Sequence, residues 1–227
     1  MTGTIAQRLA AVTSSLPDGV RLVAVSKFHP AEALLEAYQA GQRIFGESRA
    51  QELTAKAAVL PADIEWHFIG HLQTNKVRPV VACCHTIQSV DSERLFNAIA
   101  RAAEAAQRRV DLLLQVHVAR EETKFGFTPE ELLEAAPRLT AAATAPGSCV
   151  RITGVMGMAS NTDDQARVRA DFRAIRQAFE ALRQGPLSGH DEFATVSMGM
   201  SHDRALAVAE GSTMVRVGTD IFGERQY

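Results

Sequence analysis

The chain has 227 residues, 46% hydrophobic and 22% charged, ordinary proportions for a soluble globular protein. That length fits one large domain, and α/β barrels often reach it undivided. A formal net charge of -2 and an aromatic content of 6% give neither the field nor the stacking platforms that favour nucleic acid or an anionic membrane.

In chain order, residues 4–15 carry Ile5, Leu9 and Val12 at helical spacing, and Pro17-Asp18-Gly19 ends them as a turn. The stretch Arg21-Leu22-Val23-Ala24-Val25-Ser26-Lys27 then reads as a buried strand ending in a lysine. Residues 31–41 form a helix with Leu34, Leu35 and Tyr38 on one side and Gly41 as its stop. A short strand at 43–46 leads to a helix over 47–60 and a strand over 64–69. The polar turn 70–76 precedes a short helix at 76–81, and a fourth strand lies near 85–90. The adjacent Cys83 and Cys84 are expected as small apolar residues of a buried strand, facing opposite ways.

Asp91-Ser92-Glu93 caps a long helix to residue 109, and 110–118 is the fifth strand. A polar loop, 119–127, and Pro129 introduce a helix over 130–139. Residues 140–149 read as a small-residue loop, the best candidate for local disorder. A strand over 151–158, a long amphipathic helix over 163–183, a strand over 193–198, a helix over 204–211 and a strand over 213–217 complete the pattern. Strands alternate with helices and no hairpin signal intervenes, which implies parallel strands, and eight such units can close into a (β/α)8 barrel. An open doubly wound sheet is the alternative, but no G-x-G-x-x-G follows the first strand. One domain spanning residues 1–227 is expected, with no linker and no second domain. The odd set of Cys83, Cys84 and Cys149, the lack of an apolar N-terminal run and the lack of a membrane-length apolar segment predict a cytoplasmic protein.

Chemistry enters through Lys27. The composition has 24 Lys+Arg, yet the lysines are only Lys27, Lys56, Lys76 and Lys124. In a chain that favours arginine for surface charge, a strand-end lysine invites a chemical reason, and a Schiff base needs an amine. A lysine snorkelling at a strand terminus is the plain alternative. Working residues of such a barrel gather at the C-terminal ends of the strands, and phosphate often binds in the loops after strands seven and eight. Gly199, Gly218 and Gly223 cluster there, and Ser201 sits where it would cap the helix that follows. A strand-end lysine facing a glycine- and serine-rich phosphate cup suggests an aldehyde cofactor bearing phosphate, pyridoxal 5'-phosphate.

The segments AVSKFHP, FGESRAQE, WHFIGHLQTNK, LLLQVHVAREETKFGF and SMGMSHDRALAVAEGSTMVRVGTDIFGER closely resemble the pyridoxal phosphate homeostasis family, whose members look like the N-terminal barrel of alanine racemase. The resemblance implies that Lys27 forms the internal aldimine, that Ser201, Gly218 and Thr219 hold the phosphate, and that Arg216 faces the pyridine nitrogen. It also implies that Met156, Ser197 and His67 line the pocket; without the motif, His67 beside Trp66 and Phe68 reads as a satisfied core histidine. Ser48 departs from the family, which usually has an asparagine there near the cofactor, and His117 is a milder departure. His71 and His202 read as solvated loop residues, and Lys76 and Lys124 as other perches or phosphate-attracting charges.

The implied function is storage, buffering or delivery of the cofactor, with pyridoxal-phosphate-dependent apo-enzymes as recipients, no nucleic-acid or membrane partner, and a monomer as the simpler state. A guanidinium beside the ring nitrogen disfavours its protonation and weakens carbanion chemistry. Tyr38, on an outer helix, and Tyr227, the final residue, are poorly placed to supply a second base. A pyridoxal-phosphate-dependent amino-acid racemase or lyase is the rival reading, and a barrel enzyme acting on sugar phosphates a third.

Overall fold

The computed structural model describes residues 3–120 and 125–224. Eight parallel strands follow one another around a closed barrel in sequence order, and the first closes on the last. They are β1 (Arg21–Val25), β2 (Ile44–Glu47), β3 (Glu65–Phe68), β4 (Thr86–Val90), β5 (Val110–Val116), β6 (Val150–Gly157), β7 (Thr195–Ser197) and β8 (Met214–Val217). Around them run α1 (Ile5–Ser14), α2 (Ala31–Gln39), α3 (Ala50–Ala57), α4 (Val77–Cys83) after a 3-10 turn at Thr74–Lys76, and α5 (Glu93–Ala106). Then come α6 (Pro129–Thr144), α7 (Gln165–Gln184), α8 (Arg204–Ala209) and α9 (Thr219–Phe222).

Four of the helices start at a side chain that pairs their first amides. Thr4 and Thr128 each close a capping box, with Gln7 and Glu131 reaching back, while Ser92 and Asp164 cap α5 and α7. Alternation along the strands sorts the side chains. Leu22 and Ala24, Phe45, Trp66 and Phe68, Leu112 and Leu114, Val196, Val215 and Val217 pack outward against the helices. Their neighbours Val23, His67, Gln88, Met156, Ser197 and Arg216 therefore point into the barrel, and all are buried. An apolar layer between strands and helices thus carries the stability. The barrel interior sets a chain of polar side chains, His67, Gln88, Ser197 and Arg216, among apolar ones such as Val23 and Met156.

Three expectations change. Residues 140–149 are not one loop, because α6 continues through Thr144, with Leu139 and Thr140 buried. Cys83 and Cys84 are not in a strand: Cys83 ends α4 and Cys84 follows it. The Cys84 thiol bonds the carbonyls of Trp66 and Thr86, and burial pushes its pKa up to about 12. On α2 the core side is Leu34 and Ala37, while Leu35 is exposed. Lys124 and Tyr227 lie outside the described residues. Among the described residues no helix is long and apolar enough to cross a membrane.

Candidate functional site

Every sequence-predicted site residue is at the C-terminal end of the barrel or inside it. Lys27 follows β1 after Ser26, half-buried, at the start of a tight turn in which the His29 N–H donates to the Ser26 carbonyl at 3.1 Å. Because β1 pairs with β8 (Ala24 opposite Val217), this turn lies beside Gly218 and Thr219. A methyl group on Gly218 would sit 3.1 Å from the Val25 carbonyl oxygen, so the two chain segments approach closely here. Gly218 caps α9 and Thr219 is its first residue.

The other half of the expected cup is the turn after β7. Gly199 has φ +95°, and a Cβ there would lie 2.6 Å from that of Ala207, so α8 can dock only against a glycine. Ser201 does not cap α8, contrary to expectation: Asp203 is the N-cap, and its Oδ1 accepts from the Met200 N–H at 2.5 Å. Ser201 is instead held through its carbonyl, which accepts from Arg204 Nη1 at 2.5 Å. The same nitrogen bonds Asp220 of α9. Arg204 therefore ties the Ser201 turn to the Thr219 turn.

Inside the barrel the polar residues form one chain. Arg216 Nη1 donates to the Ser197 carbonyl at 2.8 Å and to Ser197 Oγ at 2.7 Å, and Nη2 donates to the Gly157 carbonyl at 2.9 Å. A guanidinium can only donate, so the Ser197 hydroxyl gives its own proton to Gln88 Oε1 at 2.6 Å. That turns the Gln88 amide nitrogen toward His67 Nδ1, 2.7 Å away. Nδ1 accepts, so the imidazole proton belongs on Nε2, which is buried without a hydrogen-bond partner. Burial, with Arg21 and His85 adding repulsion, lowers the His67 pKa to about 3. Burial also lowers the Arg216 pKa to about 10, which leaves the guanidinium charged at neutral pH. Its three bonds to Ser197 and Gly157 use Nη1 and Nη2 and leave two of the guanidinium's five N–H groups, Nε–H among them, outside the set. Met156, opposite Ser197 in the β6–β7 register, completes the inner wall.

Ser48 follows β2 and lines a cavity of about 270 Å³ together with Arg49, Gln51, His71, Gln73 and Lys76. Gly70 packs so tightly on the Ser48 backbone that a Cβ there would meet the Ser48 carbonyl oxygen at 2.2 Å. His71 is more than a solvated loop residue: it stacks on Phe125 at 3.7 Å and bonds Asp91 at 3.1 Å. His202 is exposed, as expected. The half-buried His117 takes part in the β5 loop, where its N–H donates to the Phe127 carbonyl at 2.8 Å.

Sequence reasoning missed Gln88, Arg204 and Lys56. Gln88 had a readable signal, a glutamine at an inward position of the fully buried strand Thr86–Val90. Arg204 had none, since its role depends on two loops meeting. Lys56 could be found by its four-residue spacing from Glu52, and its ammonium lies 2.6 Å from buried Glu47 and 3.3 Å from Glu52.

Comparison with known proteins matches residues 2–226 to the family described as alanine racemase, N-terminal domain. The pyridoxal phosphate homeostasis protein of Schizosaccharomyces pombe is 38% identical over 212 residues, 91% of this chain and 84% of that one. Its namesake from Haemophilus influenzae is 38% identical over 211 residues, 92% and 86% of the two chains. Among solved structures, PipY of Synechococcus elongatus with PLP bound superposes with a TM-score of 0.87 at 42% identity, covering 97% of this chain and all of PipY. The inward-facing polar chain, the paired loops at the C-terminal mouth and these likenesses agree: the chain belongs to the pyridoxal phosphate homeostasis family, built on the alanine racemase N-terminal barrel.

Proposed function

We propose that this protein binds pyridoxal 5'-phosphate as a Schiff base on Lys27 and stores, buffers or delivers it, without itself turning over amino acids. The observation that carries the reading is Arg216, pinned by three bonds to the barrel wall that use only three of its five N–H groups and so leave a donor, such as Nε–H, for a ligand. That donor suits the ring nitrogen of a pyridine. Ser201, Gly218 and Thr219 would hold the phosphate, and Met156, Ser197, His67 and Ser48 would line the pocket. Bound pyridoxal 5'-phosphate supplies an aldehyde that captures amines and a ring that withdraws electrons when its nitrogen is protonated.

The chain's own groups hold that second property down. A charged Arg216 disfavours a proton on the ring nitrogen. His67 has one nitrogen occupied as acceptor and the other carrying the proton, so it has no lone pair to serve as a base. Tyr38 lies in the last turn of α2, toward the opposite end of the barrel, with its hydroxyl on Asp63 at 2.7 Å and Arg43 over its ring. Recipients would be apo-enzymes that need the cofactor. The three free cysteines agree with a reducing, cytoplasmic setting.

Purified protein is expected to be yellow, and borohydride reduction followed by peptide mass spectrometry should place the adduct on Lys27. Lys27→Ala protein should be colourless. A fully coloured Lys27→Ala variant would move the site to another lysine. Exchange of the α-hydrogen of amino acids in deuterated water well above that given by free cofactor would replace storage with catalysis.

A further inference from the structure

Beneath the Lys27 turn lies a buried ionic cluster that the cofactor site, as described, does not use. Ser26 and Glu47 are fully buried and Lys56 is 8% exposed. Lys56 Nζ donates to Glu47 Oε1 at 2.6 Å, to the Ser26 carbonyl at 2.9 Å and to Glu52 Oε2 at 3.3 Å. Ser26 Oγ donates to the same Glu47 oxygen at 2.7 Å. Glu52 Oε2 in turn accepts from the Phe28 N–H at 2.8 Å. The residues on both sides of Lys27 are thus held by their backbones, Ser26 through its carbonyl and Phe28 through its amide.

Phe28 shows what that grip is for. Its φ of 68° is left-handed, a conformation disfavoured for a bulky side chain, and it persists only where surroundings impose it. Glu52 holds the amide, and the Arg49 guanidinium lies 4.4 Å over the Phe28 ring. As a source of stability the cluster is a poor device, since buried charges cost desolvation that apolar packing avoids. Glu47 even keeps its second carboxylate oxygen buried with no partner. As a way to fix two backbone points, charged hydrogen bonds serve well.

We infer that Lys56, Glu47 and Glu52 are positioning residues that preset the strained Ser26–His29 turn, so that Lys27 faces the pocket before any cofactor arrives. The inference rests on Lys27 being the cofactor-bearing lysine. Such preorganisation lowers the cost of binding and leaves the cofactor's own contacts unchanged.

The test is equilibrium binding of pyridoxal 5'-phosphate to apo-protein, followed by absorbance, with thermal melting as the check on folding. Glu52→Ala should raise Kd at least tenfold, and Glu52→Gln, which keeps an oxygen for the Phe28 amide, should stay within about threefold of wild type. Adding Phe28→Asn to Glu52→Ala should recover much of the loss, because asparagine tolerates the left-handed conformation without the clamp. Hydrogen exchange on the wild-type apo-protein needs no variant and should find the Phe28 amide protected. An unchanged Kd in folded Glu52→Ala, absence of recovery by Phe28→Asn, or a freely exchanging Phe28 amide overturns the inference. Borohydride trapping on wild type separates the two failures: an adduct on Lys27 with any of those results sinks only the preset turn, and an adduct elsewhere sinks both.

Discussion

His67 is the residue whose behaviour the structure specifies most tightly. Its pKa is about 3 in the folded chain, against an ordinary 6.5, because burial penalises the imidazolium. The unfolded chain therefore binds more protons than the folded one between those values, and stability falls as pH drops below about 6.5 toward 3. One such group contributes a slope of up to about 1.4 kcal/mol per pH unit in that window. Urea unfolding at pH 7, 6 and 5 should show His67→Gln with a shallower loss than wild type by roughly that slope. Equal slopes would mean that the ring is solvated. Residue by residue, legibility in the sequence followed chemistry. Lys27 stood out because lysine is scarce, and Arg216 because its motif is specific, but the tautomer of His67 needed Ser197 and Gln88 to meet it across the barrel.

Helix α6 shows how packing overrides a local stop signal. Pro137 lies inside it, where a proline removes a backbone hydrogen bond and crowds the preceding turn. The helix nonetheless runs on to Thr144, because Leu132, Ala135, Ala136 and Leu139 are buried on one side. The proline ring is exposed, so Pro137→Ala removes nothing from the core. A mid-helix proline costs roughly 3 kcal/mol relative to alanine, offset by about 1 kcal/mol from restricting the unfolded chain. Pro137→Ala should then stabilise the protein by about 2 kcal/mol in a denaturant titration, with no change in the slope of the transition. The same reasoning explains why the small-residue run 140–149 misled: alanine reads as loop filler by composition, yet it is the best helix former.

For the whole molecule, the closed barrel divides labour between two surfaces of one sheet. The outward faces meet the helices in an apolar layer, and the inward faces can hold a charged guanidinium and an imidazole because partners from β3, β4, β7 and β8 converge there. A ligand that binds only this folded arrangement must stabilise it. Pyridoxal 5'-phosphate free at a hundredfold excess over Kd should add about 2.7 kcal/mol, a rise in melting temperature of about 5–10 °C. Lys27→Ala should lose most of that rise while keeping the barrel, as read by unchanged far-ultraviolet circular dichroism. A rise of equal size in both proteins would place the stabilising contact away from Lys27.

The sequence by itself determined the alternation of eight strands with helices, the position of Lys27 at a strand end and the glycines of the two last loops. These are local matters of period, propensity and turn chemistry. The tertiary structure decided what depends on residues far apart in the chain. Barrel closure brings Ala24 against Val217, Arg204 joins Ser201 to Asp220, and Lys56 grips the turn 30 residues before it. No local pattern encodes those meetings, because each is created only when the sheet curls and its loops come together at one end.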